Sequence, residues 1–183
     1  MVRCSPDRRS GCAPPNDLTL RAATEADVDV MVDLQLAAWR EGFVPILPDE
    51  FRLPSAEEFR PRLAESLATP GVRKVLALGD DDRPVGWISF GANRDPDAPP
   101  GTAELRGLIV HPDSWRGGVG RALVESCFEQ LAEEGYREVT LWSFDENDRA
   151  NAFYEAFGFR RDGAGQRREF SAGALEVRYR RRL

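Results

Sequence analysis

The chain has 183 residues, 42% of them hydrophobic and 31% charged, with a formal net charge of −6, which suits one soluble globular domain with a substantial core. The acidic balance argues against nucleic acid as a partner, since phosphate neutralisation needs a basic surface, and no apolar run approaches the ~20 residues of a membrane span. Its 3 cysteines, Cys4, Cys12 and Cys127, form neither a disulfide framework nor zinc spacing, and 1 histidine, His111, rules out a multi-histidine metal site. No metal is expected, and cytoplasm is the default compartment. His111, beside Pro112, reads as a loop residue. Residues 1–16 are polar, lack the apolar core of a signal peptide and read as a disordered tail, leaving 17–183 as a single domain.

Asp17 to Arg21 alternates and suits a first strand. Thr24-Glu25-Ala26-Asp27 resembles a capped helix start, and Val30, Leu34 and Ala37 recur at i, i+4, i+7 as a buried face. Pro45 and Pro48 break that helix near Gly42. A second helix starts at Ser55, with Glu58 completing a capping box; Phe59, Leu63 and Leu67 repeat, and Pro61 should bend the helix or delay its start. Three strands follow: Val72 to Gly79, Val85 to Gly91 beyond an aspartate-rich turn, and Thr102 to Val110 beyond an exposed Pro- and Asp-rich loop.

The third of these strands delivers His111-Pro112-Asp113-Ser114-Trp115-Arg116-Gly117-Gly118-Val119-Gly120-Arg121, after which a helix begins near Val119. Glycines leave backbone N–H groups uncovered, and a helix start aims those donors and its dipole at one place, an anion site suited to phosphate. Arg116 and Arg121 add charge. A P-loop would need Lys-Ser/Thr after Gly120, where Arg121 and Ala122 stand, and a dinucleotide fingerprint would need a third glycine where Leu123 stands.

Val124, Cys127, Phe128 and Leu131 mark the face of this helix, and Gly135 closes it. Glu138 to Phe144 is apolar on both faces, hence a central, covered strand. Asp145 or Asn147 caps a last helix with a buried stripe of Ala150, Phe153 and Phe157, and Asn151 beside them reads as solvated. Phe159 to Asp162, Arg167 to Phe170 and Leu175 to Arg180 read as one to three strands. In the last, Glu176, Arg178 and Arg180 form a wet face. The arginines of this end read as a solvated rim. The order is βααβββαβαβ(β), an α/β fold with a mixed sheet.

The turn resembles the pyrophosphate-binding loop of the GNAT superfamily of N-acetyltransferases, Q/R-x-x-G-x-G/A. Gly118 and Gly120 match its glycines; Trp115 occupies the Gln/Arg position, and Arg116, one step later, takes over that contact. Asn147-Asp148-Arg149-Ala150-Asn151-Ala152-Phe153-Tyr154-Glu155-Ala156-Phe157-Gly158-Phe159 resembles a second signature of that family, N-x-x-A-x-x-x-Y-x-x-x-G-F, one strand later, where the family has it. The resemblance implies the acyl-CoA N-acyltransferase fold, acetyl-CoA as donor and co-substrate, and a primary amine of a small molecule, peptide or protein as acceptor, attacking directly in a ternary complex. It implies that the backbone N–H groups of Ile109 and Val110 face the thioester, that Arg116, Gly117, Gly118, Val119, Gly120 and Arg121 hold the pyrophosphate, and that Asn147 contacts the CoA arm. Tyr154 would protonate the leaving thiolate. Glu104 is the candidate base, placed by alternation on the face of Leu108 and Val110 unless a bulge intervenes. Trp39, Phe43 and Trp87 are candidates for the acceptor pocket. A homodimer is compatible with the sequence. The competing reading is a non-catalytic acyl-CoA-binding regulatory module.

Overall fold

The computed structural model describes residues 18–183; the proposed tail, with Cys4 and Cys12, lies outside the described residues. Seven strands form one sheet in the order β1-β2-β3-β4-β5-β7-β6. They are β1 (Thr19–Ala22), β2 (Val72–Leu78), β3 (Pro84–Ala92), β4 (Thr102–Val110), β5 (Glu138–Phe144), β6 (Arg160–Arg167) and β7 (Leu175–Arg182). Every neighbouring pair is antiparallel except β4 and β5. The helices are α1 (Val28–Gly42), α2 (Ala56–Ala68), α3 (Val119–Glu133) and α4 (Asp148–Ala156). No helix of the described residues is long and apolar enough to cross a membrane.

Side-chain alternation along the strands divides the core in two. Leu76, Leu78, Trp87 and Ile109 pack under α1 and α2. Val75, Ile88, Phe90, Leu105, Val139 and Leu141 pack under α3 with Tyr154 and Phe159. Cys127 of α3 is buried here, and burial pushes its thiol pKa up. The α1 face is wider than Val30, Leu34 and Ala37 suggest: Met31, Val32, Leu36 and Ala38 are buried, while Val30 and Ala37 are half-buried. Lying on a sheet and also against α2 needs more than one stripe. The Thr24 and Ser55 starts behave as expected, with the Thr24 and Ser55 N–H groups each donating 2.8 Å to the carboxylates of Asp27 and Glu58. Helix α2 runs through Pro61, which neither delays nor ends it; Pro61 is exposed, so the Glu57 carbonyl it leaves without an intrahelical donor lies toward water.

The carboxyl-terminal pattern resolves into two strands. Arg160–Arg167 is continuous, and Glu169–Ser171 is a short 3-10 turn rather than strand. The expected wet face of β7 is largely covered: Glu176 and Arg178 are each 6% exposed. Arg178 donates to Asp95, Asp97 and Asp162 at 3.1, 2.7 and 2.8 Å, so the β3–β4 loop is tied down over this face.

Lys74, the only lysine in the sequence, is buried on β2, its Nζ 2.9 Å from the Ser89 Oγ and 5.4 Å from the Trp87 ring centroid. Burial, with Arg106 and Arg94 nearby, lowers its pKa to about 8 from 10.5. Below about pH 8 the ammonium is charged in both folded and unfolded chains, and the folded chain carries the full penalty. That penalty fades as pH rises toward 10.5, where both forms become neutral. Lys74→Met is therefore expected to stabilise the protein by about 2 kcal/mol at pH 7 and by much less near pH 10. Urea unfolding at the two pH values reads this directly, and a pH-independent difference would contradict it.

Candidate active site

Strands β4 and β5 pair only at Thr102–Glu138, Ala103–Val139 and Glu104–Thr140. Beyond Glu104 they separate, and among the described residues no other strand fills the gap. A cavity of about 1020 Å³ occupies this splay, running from the glycine turn past β4, α4 and the aromatic end of α1 to the β6–β7 end of the sheet. A parallel sheet interrupted in this way presents a row of unpaired backbone groups to a ligand.

The bonds at the end of β4 show which groups these are. The His111 N–H donates to the Val85 carbonyl at 2.8 Å, while the Val110 carbonyl accepts the Trp115 indole N–H at 2.8 Å. Alternation then turns the backbone of Val110 and Leu108 toward the splay and that of Ile109, which pairs with Trp87, toward β3. Of the two amides expected to face the thioester, that of Val110 faces the splay and that of Ile109 faces β3; the Leu108 amide also faces the splay.

Gly118 is the N-cap of α3 at φ +85°, a left-handed conformation that glycine adopts without strain. Gly117 N–H donates to Ser114 at 3.3 Å. Among the described residues no protein group accepts from the N–H groups of Gly118, Val119, Gly120 or Arg121, and all four converge at the first turn of α3. Gly120 faces the Phe153 ring of α4, where a Cβ would stand at ordinary contact distance, 3.4 Å.

Arg116, exposed and at φ +63°, has no acidic partner among the described residues. Arg121 bonds Glu125 at 3.3 Å and lies over Phe157. Sequence reasoning overlooked a third guanidinium, Arg149 on the first turn of α4, whose carbon lies 3.5 Å from the Trp115 ring centroid. Gly42, at the end of α1, makes room for it: a Cβ there would stand 2.5 Å from an Arg149 nitrogen. Burial, and then the charge of Arg116, lowers the Arg149 pKa, as expected of like charges gathered at one mouth. The available signal was Trp115 itself, an aromatic face standing where a cation was expected.

On α4 the buried side chains are Asn151 and Tyr154, whereas Ala150, Phe153 and Phe157 are half-buried. The solvated reading of Asn151 is corrected by its amide, which donates to the carbonyls of Phe144 and Asp145 at 3.2 and 3.0 Å and so ties α4 to the end of β5. Asn147 is the N-cap: its Oδ1 accepts the Ala150 N–H at 3.1 Å, leaving its amide nitrogen free beside the cavity. Tyr154 packs edge-on against Phe153 and Phe159 with centroids at 5.5 and 5.9 Å. Its hydroxyl has no partner among the described residues, and burial raises its pKa, so the phenol is protonated throughout the neutral range.

Glu104 also borders the cavity, 3% exposed. Its position differs from simple alternation because Arg106 is an extra residue: Phe90 pairs with Leu105, and Ser89 with Gly107. This bulge moves Glu104 to the face of Trp87 and Ile109, away from Leu108 and Val110. Both its oxygens accept from Arg94, at 2.8 and 2.6 Å. Trp39 and Phe43 stack at 4.9 Å and line the cavity with Phe144. Trp87 is only 5% exposed, its indole N–H bonded to the Met31 carbonyl at 3.1 Å. His111 is the loop residue expected, its Nδ1 accepting the Asp113 N–H at 3.3 Å.

Residues 36–159 match the acetyltransferase (GNAT) family profile. The chain is similar to aminoglycoside N(6')-acetyltransferase type 1 of Stenotrophomonas maltophilia, 31% identical over 147 residues that cover 77% of this chain and 85% of that one. It is 34% identical over 91 residues to mycothiol acetyltransferase of Kocuria rhizophila, a match that takes in 50% of this chain but only 30% of that longer relative. Among solved structures, PaiA N-acetyltransferase from Thermoplasma acidophilum, in complex with coenzyme A, has the same fold, with a TM-score of 0.73 over 91% of this chain and 99% of that one at 15% identity.

Proposed function

This chain belongs to the GNAT family of acetyltransferases, and on that premise we propose that it moves the acetyl group of acetyl-CoA to a primary amine within a ternary complex. The observation that carries this reading is the continuity of one cavity, from four unpartnered amides at the start of α3, along the unpaired edge of β4, to the free hydroxyl of Tyr154. Bare amides with two guanidiniums that lack acidic partners fit a diphosphate, and an unpaired strand edge fits the amide-bearing pantetheine arm.

Acetyl-CoA supplies the activated acyl group. The N–H groups of Gly118 to Arg121, with Arg116 and Arg149, hold its diphosphate. Gly117, whose N–H is already used, serves by shaping the turn. Leu108 and Val110 take the arm along β4, and the free amide nitrogen of Asn147 meets it from α4. Tyr154 delivers a proton to the departing sulfur. A phenol is a weaker acid than a thiol, so delivery is concerted with C–S cleavage. Glu104, the base that the resemblance suggests, has both oxygens engaged by Arg94, so it is not assigned the amine's proton. Much of the rate comes from holding two reactants in line.

Release of free thiol from acetyl-CoA in the presence of a panel of amines tests the reading. Arg149→Ala is expected to raise KM for acetyl-CoA about tenfold, the loss of one charge-assisted hydrogen bond, with kcat within twofold and no change in KM for acetyl-pantetheine, which lacks the diphosphate. An equal loss with both donors would make Arg149 a packing residue. Binding of coenzyme A with no turnover of any amine would leave only a regulatory acyl-CoA-binding module, and stabilisation by ATP in preference to coenzyme A would overturn the donor.

A further inference from the structure

A second buried carboxylate borders the cavity. Glu176 of β7 is 6% exposed, and on the sheet it pairs with Phe144, the last residue of β5. The final β4–β5 pair is Glu104–Thr140, so Phe144 and Leu108 each stand four residues further along their strands. Leu108, Phe144 and Glu176 thus share a level across the open part of the splay, whereas Glu104 marks its closed end. Pairing with Phe144, which packs against Trp39 and Phe43, puts the Glu176 side chain on the same face as those rings.

The hydrogen bonds of the two carboxylates differ. Arg94 occupies both oxygens of Glu104. On Glu176 both partners fall on one oxygen: Gln166 Nε2 donates to Oε2 at 2.8 Å, and Arg168 Nε forms an ion pair with it at 3.1 Å. No described group donates to Oε1, and it is not among the atoms sealed from solvent. A nearly buried carboxylate with one fixed and one free oxygen is ready to accept a donor from a ligand.

Resting on the acetyl-transfer reading, we propose that Oε1 of Glu176 binds the ammonium group of the acceptor and takes its proton, while the acceptor's apolar body lies on Trp39 and Phe43. The ammonium gives one proton to the carboxylate, and the freed lone pair forms the N–C bond with the acetyl carbon. The C–S bond then breaks and the sulfur receives the Tyr154 proton; the nitrogen gives up its remaining surplus proton, which restores the Tyr154 phenol, so the products are the neutral amide, the free thiol and a protonated Glu176 that returns its proton to solvent. Among the described residues, Arg168 is the charge in contact with this carboxylate, and it sits at Oε2, away from the free oxygen. Arg178, two residues on, is held by Asp95, Asp97 and Asp162; Glu104 is held by Arg94; Phe144 and α1 present aromatic rings. Arg168 and Gln166 are its polar neighbours, and burial outweighs them, raising the carboxyl pKa above the ordinary glutamate range. A raised pKa makes a carboxylate a better proton acceptor, and activity falls as pH drops through that titration.

The test compares Glu176→Gln with Glu104→Gln, using hexylamine and 2-phenylethylamine as acceptors. Glutamine at 176 keeps an oxygen for Gln166 and Arg168, so the fold is retained. The expected result is a fall in kcat of about 50-fold or more, with KM for acetyl-CoA within twofold and the acidic limb of the kcat/KM profile gone, while Glu104→Gln keeps that limb. A Glu176→Gln enzyme with wild-type kcat and limb, or loss of the limb in Glu104→Gln alone, overturns the proposal and leaves acetyl transfer standing. Wild-type turnover of other amines in the panel but of neither probe overturns the apolar-ammonium class. Wild-type turnover of no amine at all refutes acetyl transfer itself.

Discussion

Tyr154→Phe is expected to lower kcat for acetyl transfer by about 100-fold or more, with KM for acetyl-CoA moving less than twofold. The substitution removes one oxygen and nothing else. The ring remains packed against Phe153 and Phe159, and the hydroxyl has no protein partner to orphan, so thermal stability should stay within about 1 kcal/mol of wild type. The loss should therefore fall on the step in which sulfur departs. Donors with more acidic leaving thiols need less help, and the defect should shrink with them. A Tyr154→Phe enzyme with unchanged kcat would remove the phenol from the chemistry.

Arg178→Met should have the largest effect on stability among the changes considered. The side chain is 7% exposed and serves Asp95 and Asp162, each 14% exposed, and the outer Asp97. Its removal leaves carboxylates in a largely dry site, which costs about 3 kcal/mol or more and lowers Tm by about 6–12 °C in a chain of this size. The nearby Arg182 is a suitable control: its side chain is 90% exposed and its Glu138 contact is 3.9 Å long. Arg182→Met should leave Tm within about 1 °C. Equal shifts in the two variants, followed by thermal melts, would show that the buried network contributes nothing special.

What the sequence made legible follows the range of the interactions involved. Caps and periodicity are local, so the starts at Thr24 and Ser55, the bounds of β4 and β5 and the start of α3 near Val119 could all be read from neighbouring residues. Tyr154 was likewise readable, because helical spacing fixes its place relative to Asn147. The misplacements involve partners distant in the chain. Glu176 and Arg178 alternate like an exposed face, but Arg178 is covered by a loop from residues 95 and 97, on the other side of α3 and α4 in the chain, and Glu176 is held by Gln166 and Arg168 from the end of β6. Glu104 shares the face of Leu108 and Val110 only if β4 has no bulge, and Arg106 is indistinguishable from an ordinary strand residue until its pairing with β3 is seen. Asn151 is polar in sequence and buried in the fold because two carbonyls at the end of β5 need a donor. Arg149 became visible only when its guanidinium was found against Trp115.

The burial of Lys74 has a consequence for an enzyme that handles activated acyl groups. Its side-chain positive charge outside the core rests on guanidinium groups, which do not form stable amides, and its one ε-amine is buried on β2 beside Ser89 and Trp87. Such a surface offers no lysine for stray acylation by its own donor, and an amine-directed ester probe would find no side chain to tag on the folded protein.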